Sequence, residues 1–369
     1  MQRISSLFCA AALALSGSAM ADDFKVVTTI KPLNLIVSEL VQGAATSDAI
    51  LPPGASPHDY ALRPSDVKKL NDADLVIWVG PQLETFLTKL MATNPNSFAL
   101  TKQAGIHFLN YGEKGSDDHS DHAGHGHDDH GDHASHDGHD DHGDHASHDG
   151  HDDHGDHADH DGHDDHGDHA GHEGHDDHGD HADHDGHDEH AGHHHHHHSG
   201  LDPHFWMGPK QTIEAANVIT EALIKHDPLH KTVYLANLST FTSEVNQAVS
   251  ELNAEIKPLS NKGYFVFHDG YGYFEHQFGL NNLGHFTVEP DRKPGAKTLI
   301  AIRESLKDKQ AYCVFSEPQF SPAVVDSVTK GTEVNIGTLD PMATNVQVGK
   351  GGYVRFIKEL GQSFTKCLK

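Results

Sequence analysis

Between Gly115 and His198 the chain contains no lysine and no arginine, and nowhere else do basic residues gather into a patch. The formal net charge of −29 arises from that stretch, which holds 27 aspartates and glutamates; the rest of the chain carries a charge near −2. Without a basic patch there is no electrostatic footprint for a phosphate backbone, which excludes nucleic acid as a partner. Long apolar runs are also missing. Beyond the N-terminal segment nothing approaches the ~20 apolar residues that span a bilayer core, so the mature chain is expected to be soluble. Cysteine is scarce, at three residues, Cys9, Cys313 and Cys367. No H-E-x-x-H sequence occurs, which removes the arrangement a secreted zinc hydrolase would need for its ligands and general base. From residues 113–200, Val, Leu, Ile, Met, Phe, Tyr and Trp are all absent. No core can form there, and disorder is expected.

The N-terminus reads as a targeting segment. Arg3 precedes a mostly apolar run, residues 4–15, and Ala19-Met20-Ala21 places small residues where a cleavage site requires them. The expectation is a secretory signal peptide, residues 1–21, cut after Ala21. Cys9 sits in mid-run behind Ser6-Leu7-Phe8, a poor lipoprotein context, so no lipid anchor is expected. Export leaves Cys313 and Cys367. An even pair in an oxidising compartment favours a disulfide over two buried thiols.

Residues 113–200 carry 31 of the 39 histidines. A 12-residue unit, HGDHASHDGHDD with small variations, starts at His130, His142, His154, His166 and His178. A solenoid would need an apolar face on which to stack, and this unit has none. Dense His/Asp pairs chelate zinc, nickel, copper or cobalt weakly and in many geometries. A recruiting or buffering role, with several weak sites, follows more readily than one tight site, because each site must be ordered at the moment of binding. A neutral repeat expansion in a tolerant loop is the alternative. Residues 193–198 resemble a purification tag but continue the tract.

On either side of the tract, strand-like and helix-like stretches alternate, which implies parallel sheets. Before it, strands are expected at residues 25–30, 49–51, 74–79 and 105–109. Helices are expected at 32–41, at 65–70 with Ser65 as N-cap, and at 83–91. After it come an amphipathic helix at 209–226 and a longer one at 229–256, which at 1.5 Å per residue runs ~40 Å. Strands at 264–267, 285–288, 311–315 and 333–336 then alternate with helices at 296–306, 322–329 and 353–368. The expected class is α/β: two (βα)-type lobes with parallel sheets, joined by a long linker helix, with a ligand in the cleft between them. The expected division is an N-terminal lobe at 22–112, the loop at 113–200, a return to the first lobe at 201–227, the linker helix at 228–258 and a C-terminal lobe at 259–369.

Eight histidines lie outside the tract. His58, in Pro57-His58-Asp59, His204, in Asp202-Pro203-His204-Phe205-Trp206, and His268, in Phe267-His268-Asp269-Gly270, sit at the ends of expected elements. Neutral imidazoles from separate loops suit a borderline-soft dication, zinc above all. The others have plainer explanations: His226 and His230 solvated near a helix junction, His276 on a helix surface, His107 and His285 half-buried and hydrogen-bonded beside strands. Trp78 and Trp206 are expected to be packing anchors. Asp269 is open between orienting a ligand imidazole and capping a helix.

The chain resembles the zinc-specific substrate-binding proteins of ABC transporters over residues 22–369. The resemblance is carried by GASPHDYALRPSD (54–66), ADLVIWVGP (73–81), DPHFW (202–206), GYFVFHDGYGYFE (263–275), LGHFTVEP (283–290) and VFSEPQFSPAVV (314–325). It implies two lobes joined by a rigid helix, with metal at their interface on His58, His204 and His268. It also implies a disulfide between Cys313 and Cys367. In manganese-binding relatives the third ligand resembles a glutamate, and here it is His268; an all-nitrogen set favours zinc. A late aspartate of those relatives falls at or near Asp340. Some zinc relatives place a glutamate just before the first histidine, where this chain has Pro57. The fourth ligand therefore stays open between water, Asp340 and a tract histidine.

The function implied is high-affinity Zn2+ capture in the periplasm, without catalysis, by a monomer that delivers the ion to an inner-membrane ABC zinc permease. The alternatives are binding of manganese or another divalent metal within the same family, a secreted zinc hydrolase, and a nickel or copper store built on the tract. The last would leave the two lobes without a role.

Overall fold

The structure is a computed structural model that describes residues 24–112, 200–287, 293–308 and 311–369. The expected signal peptide, Cys9 and nearly all of the histidine tract lie outside the described residues.

The first half runs β1 (Lys25–Thr28), α1 (Lys31–Leu40), β2 (Thr46–Ala49), α2 (Pro64–Asn71), β3 (Leu75–Trp78), a 3-10 turn leading into α3 (Thr88–Met91), and β4 (Ser97–Ala99). Its strands form a parallel sheet in the order β2-β1-β3-β4. After the tract, α4 (Pro209–His226) packs against α1 and against α5 (Lys231–Ile256). The second half continues with β5 (Gly263–His268), α6 (Gly272–Phe278), β6 (Asn281–Thr287), α7 (Ala296–Lys307), β7 (Ala311–Ser316), α8 (Ala323–Thr329), β8 (Asn335–Thr338) and α9 (Gly352–Leu368). Its sheet is also parallel, in the equivalent order β6-β5-β7-β8. Two α/β halves flank a long helix, as the alternation of elements requires.

Several details differ from expectation; β6, for one, begins at Asn281 rather than at 285, and the α-helix expected at 83–91 spans only Thr88–Met91. The fourth strand is Ser97–Ala99, paired with β3 from Val76↔Ser97 to Trp78↔Ala99, and residues 105–109 form no strand. Gly105 turns there at φ +93°, and the three-residue edge strand is too short and too polar for a period to show. The second strand is Thr46–Ala49, while the apolar pair Ile50-Leu51 lies just beyond it and is buried. A polar edge strand carries little hydrophobic signal, so the run after it was the more visible feature. Finally, Arg63 rather than Ser65 caps α2. Pro64 fits the first helical position, and Asp66 Oδ2 accepts from Arg63 N at 2.9 Å.

The halves share a core. One cluster of buried apolar side chains runs from Leu33, Ile36 and Ile77 through Tyr234, Phe241 and Leu252 of α5 to Tyr353 and Phe364 of α9. A smaller cluster fills the other face of the second sheet, under α7 and α8. Close approach of α5 to α9 depends on Gly361, where a Cβ would lie 2.4 Å from Leu252 Cδ2. Among the described residues no helix is long and apolar enough to cross a membrane.

Cys313 on β7 and Cys367 on α9 form a disulfide, with Cα atoms 5.8 Å apart across a separation of 54 residues. Closing a loop of that length removes denatured-state entropy worth about 4 kcal/mol. Denatured, unreduced protein recovered from an oxidising compartment is therefore expected to show no reactive thiol at these two positions. Cys313→Ser/Cys367→Ser should melt at a clearly lower temperature. Unchanged melting in the double variant would remove the bond's stabilising role.

Candidate metal centre

The three loop histidines meet where the halves face each other. His58 lies in the loop after β2, anchored through its N–H to Ser56 Oγ at 3.2 Å. His204 lies on the segment that returns from the tract, just before a 3-10 turn at Phe205–Met207. His268 is the last residue of β5. Their ring centroids stand 5.3, 5.9 and 5.2 Å apart, and one nitrogen of each lies within 4.8 Å of the others. His58 Nε2 and His204 Nε2 are 3.3 Å apart. Two nitrogens each ~2.05 Å from a tetrahedral zinc would stand about 3.3 Å apart. Trp206, Pro57, Phe320 and Met342 wall the pocket.

Two carboxylates hold two of these rings from behind. Asp202 Oδ1 accepts from His204 N at 2.9 Å and lies 2.7 Å from His204 Nδ1. Glu317 Oε1 lies 2.6 Å from His268 Nδ1. A carboxylate at Nδ1 accepts a hydrogen bond from Nδ1–H, which fixes the tautomer that leaves the Nε2 lone pair free for a cation. His268 Nε2 is buried and has no hydrogen-bond partner in the protein. That orphaned acceptor fits a metal ligand better than a structural histidine. Gly270 makes room for it, since a Cβ there would lie 2.4 Å from His268 Nε2.

The electrostatics differ among the three. Burial, reinforced by the neighbouring imidazoles, holds His58 and His204 well below the ordinary histidine pKa, so both are neutral near pH 7. Burial also pulls His268 down, but the charge and hydrogen bond of Glu317, with Asp269 and Asp202 adding to them, leave it above its usual value. Burial pushes Asp202 up to about 7.

The remaining candidates fall elsewhere. Asp340 spends its carboxylate inside its own turn, accepting from Thr344 N at 2.6 Å, Met342 N at 3.2 Å and Gln319 Nε2 at 2.7 Å. It does not join the three imidazoles. Asp269 neither bonds a ligand imidazole nor caps a helix: its Oδ2 lies 3.8 Å from His285 Nδ1, and Tyr271 precedes α6. His107 is exposed rather than half-buried, because its loop forms no strand, though its ring does meet Glu214 at 2.9 Å. His230 pairs with Asp227 at 2.6 Å, and His226 and His276 are exposed. Trp78 and Trp206 are buried, and Trp206 Nε1 donates to Pro341 O at 2.9 Å across the two halves. The residues that sequence reasoning missed are Asp202 and Glu317. Asp202 had a local signal, a carboxylate two residues before a histidine. Glu317 had none, being 49 residues from its partner.

Fold and site together define a two-lobed α/β protein with a three-imidazole site for one soft or borderline dication at the lobe interface. The sequence pattern of the family described as "Zinc-uptake complex component A periplasmic" matches residues 26–367, and the chain belongs to that family. It is 37% identical to the high-affinity zinc uptake system protein ZnuA of Yersinia pestis, over 98% of this chain and 96% of that one. To the protein of the same description from Haemophilus influenzae it is 38% identical, over 100% of this chain and 99% of that one. The fold matches a crystal structure of ZnuA with a TM-score of 0.64 at 17% identity, covering 94% of this chain and all of the other. It also matches a zinc-bound deletion mutant of ZnuA, with a TM-score of 0.63 at 18% identity, over 94% of this chain and 99% of the other.

A proton competes with a metal for each imidazole. Since His268 is the ring held above its usual pKa, it takes the first proton as pH falls. Zinc affinity should therefore decline steadily from about pH 8 to about pH 5, around the ordinary imidazole pKa of ≈ 6.5. In Glu317→Gln the charge that raises His268 is gone, so the decline should begin at lower pH. Affinity near pH 8 should fall about 10- to 100-fold, the usual cost of losing an outer partner of a metal-bound histidine. An onset that does not move downward would show that Glu317 does not govern protonation of the site.

Proposed function

We propose that the protein captures one Zn2+ tightly on His58, His204 and His268 in the periplasm and delivers it to an ABC permease in the inner membrane. The observation that carries this reading is the convergence of three imidazole nitrogens from separate segments, one of them the buried and unpartnered His268 Nε2. An all-nitrogen donor set favours zinc over manganese, which prefers oxygen. The relatives' printed descriptions as high-affinity zinc uptake proteins support the same choice. The protein's work is capture and release, and no catalytic step belongs to it. It is exported by the segment at residues 1–21 and acts as a soluble monomer.

The tract at residues 113–200 is assigned a separate task. Its 31 histidines and its acidic residues offer many interchangeable ligands. Its sequence offers no large apolar residue from which a core could preposition them, so each site would have to order its own ligands on binding and is weak. Their number and their tethering raise the chance of capture and rebinding.

Calorimetric titration with chelator competition tests both parts. Full-length protein should take up one tight zinc and several weak ones, and protein lacking the tract only the tight one. In the tract-free background, His58→Ala, His204→Ala and His268→Ala should each weaken the tight site by at least ~100-fold, about 2.8 kcal/mol. Wild-type affinity in any of the three would remove that residue from the site. Loss of the tight site on deleting the tract would place a primary ligand in the tract.

A further inference from the structure

Behind the metal centre, three residues close a ring of hydrogen bonds. Tyr273 Oη donates to Asp202 O at 2.6 Å. Asp202 N donates to Leu109 O at 2.8 Å. Leu109 N donates back to Tyr273 Oη at 2.9 Å. One phenol hydroxyl thus serves as donor and acceptor at once, uses both its functions, and is buried.

Its three members come from three separate segments, two of which lead directly to site histidines. Leu109 is on the chain entering the tract and Asp202 on the chain leaving it, beside the antiparallel bridge Asn110↔Leu201. Asp202 also takes the Nδ1 edge of His204. Tyr273 belongs to α6, which follows His268 after the short turn at Asp269-Gly270-Tyr271. The phenol therefore ties the segment carrying His204 to the segment carrying His268. Close packing supports it: at Gly208, four residues after His204, a Cβ would lie 2.9 Å from Tyr273 Cβ. Glycine there lets the aromatic ring reach Asp202.

The geometry points to Tyr273 as a positioning residue for metal binding, whose hydroxyl fixes the distance between the His204 and His268 imidazoles through Asp202 and Leu109. This rests on the three-histidine zinc site proposed above. A phenol cannot be a competitive ligand here, since its oxygen already holds two partners. Its contribution is to set the spacing before the ion arrives, so that less ordering is left for binding. Removing the oxygen leaves Asp202 O short of a donor and Leu109 N short of an acceptor, and frees the backbone that carries Asp202 to shift.

Tyr273→Phe in the full-length protein is the test, since it keeps the ring and deletes the hydroxyl. Tyr234→Phe is the control. It removes another buried phenol oxygen, the one that donates to Asp227 Oδ2 at 2.6 Å at the junction of α4 and α5, away from the site. The tight Zn2+ site is read by chelator competition, its geometry by the visible absorption of one equivalent of Co2+, and stability by thermal melting. Tyr273→Phe is expected to bind zinc about tenfold more weakly, equivalent to about 1.4 kcal/mol, and to change the Co2+ spectrum. Tyr234→Phe should lower the melting temperature and leave both metal readings alone. If Tyr273→Phe proves unstable, Gly208→Ala places a Cβ 2.9 Å from Tyr273 Cβ, so that this residue must shift, and should give the same two changes. Wild-type affinity and spectrum in a folded Tyr273→Phe or Gly208→Ala protein would overturn the inference. Equal weakening in Tyr234→Phe would also overturn it, by tracing the loss to general stability. A wild-type protein with no tight zinc would instead bring down the three-histidine reading itself.

Discussion

Two buried carboxylates each grip the back of one imidazole, Asp202 on His204 at 2.7 Å and Glu317 on His268 at 2.6 Å, and the metal centre depends on these grips. A neutral histidine can place its lone pair on either nitrogen, and its ring can turn. A carboxylate at Nδ1 settles both choices, so Nε2 faces the cleft. The two rings also differ in charge behaviour, His204 being governed by burial and His268 by Glu317 acting against burial. His204 lies beside a carboxylate that burial itself pushes up to about 7, and His204 stays well below its usual pKa. His268 meets Glu317 and is raised. Burial thus keeps His204 below its ordinary value, while Glu317 holds His268 above it despite burial.

The origin of the Glu317 contact lies in the fold. In each half the chain goes from the first strand outward to the second, then crosses back to place the third on the other side of the first. The crevice at the carboxyl ends of the first and third strands is where such sheets bind ligands. Both halves put a buried glutamate there. In the first, Glu84 bonds Thr29 at the end of β1 and accepts from Val79 N at 3.2 Å and Gly80 N at 2.8 Å after β3. In the second, Glu317 follows β7 directly and reaches His268 at the end of β5. The first crevice is closed on itself by a hydroxyl and two backbone donors. In the second an imidazole stands where the threonine stands in the first, and an imidazole has a second nitrogen to offer outward.

How much of this was legible in the sequence follows from the range of each interaction. Helices α4, α5 and α9 were clear because a stripe such as Phe241, Val245, Leu252 and Ile256 repeats at helical spacing within one segment. The buried strands β3, β5 and β7 were clear as apolar runs. The edge strands Thr46–Ala49 and Ser97–Ala99 were misplaced, since a polar or very short strand is defined by its partner's backbone and not by its own side chains. The three site histidines could be singled out because each ends an element and each sits in a family-like motif. Glu317 and Tyr273 could not, because their partners lie 49 and 71 residues away and only the fold brings them together.

The arrangement also bears on how an ion enters and leaves. The halves are not hinged bodies with separate cores, because the main apolar cluster passes from one sheet through α5 to the other. Polar clamps reinforce it. Glu39 of α1 accepts from Gly351 N at 2.9 Å and Tyr353 N at 3.1 Å at the start of α9, and Lys31 Nζ donates to Thr344 O at 2.7 Å. Pulling the halves apart far enough to bare only ~200 Å2 of this core would cost about 5 kcal/mol at ~25 cal/mol per Å2. Three ligands set into such a frame need not be equally fixed. His204 and His268 are buried and backed by carboxylates, whereas His58 is half-buried, sits in a loop without regular structure and has no carboxylate on its ring among the described residues. Two of the imidazoles are backed by buried carboxylates, and the third lies on a loop without regular structure.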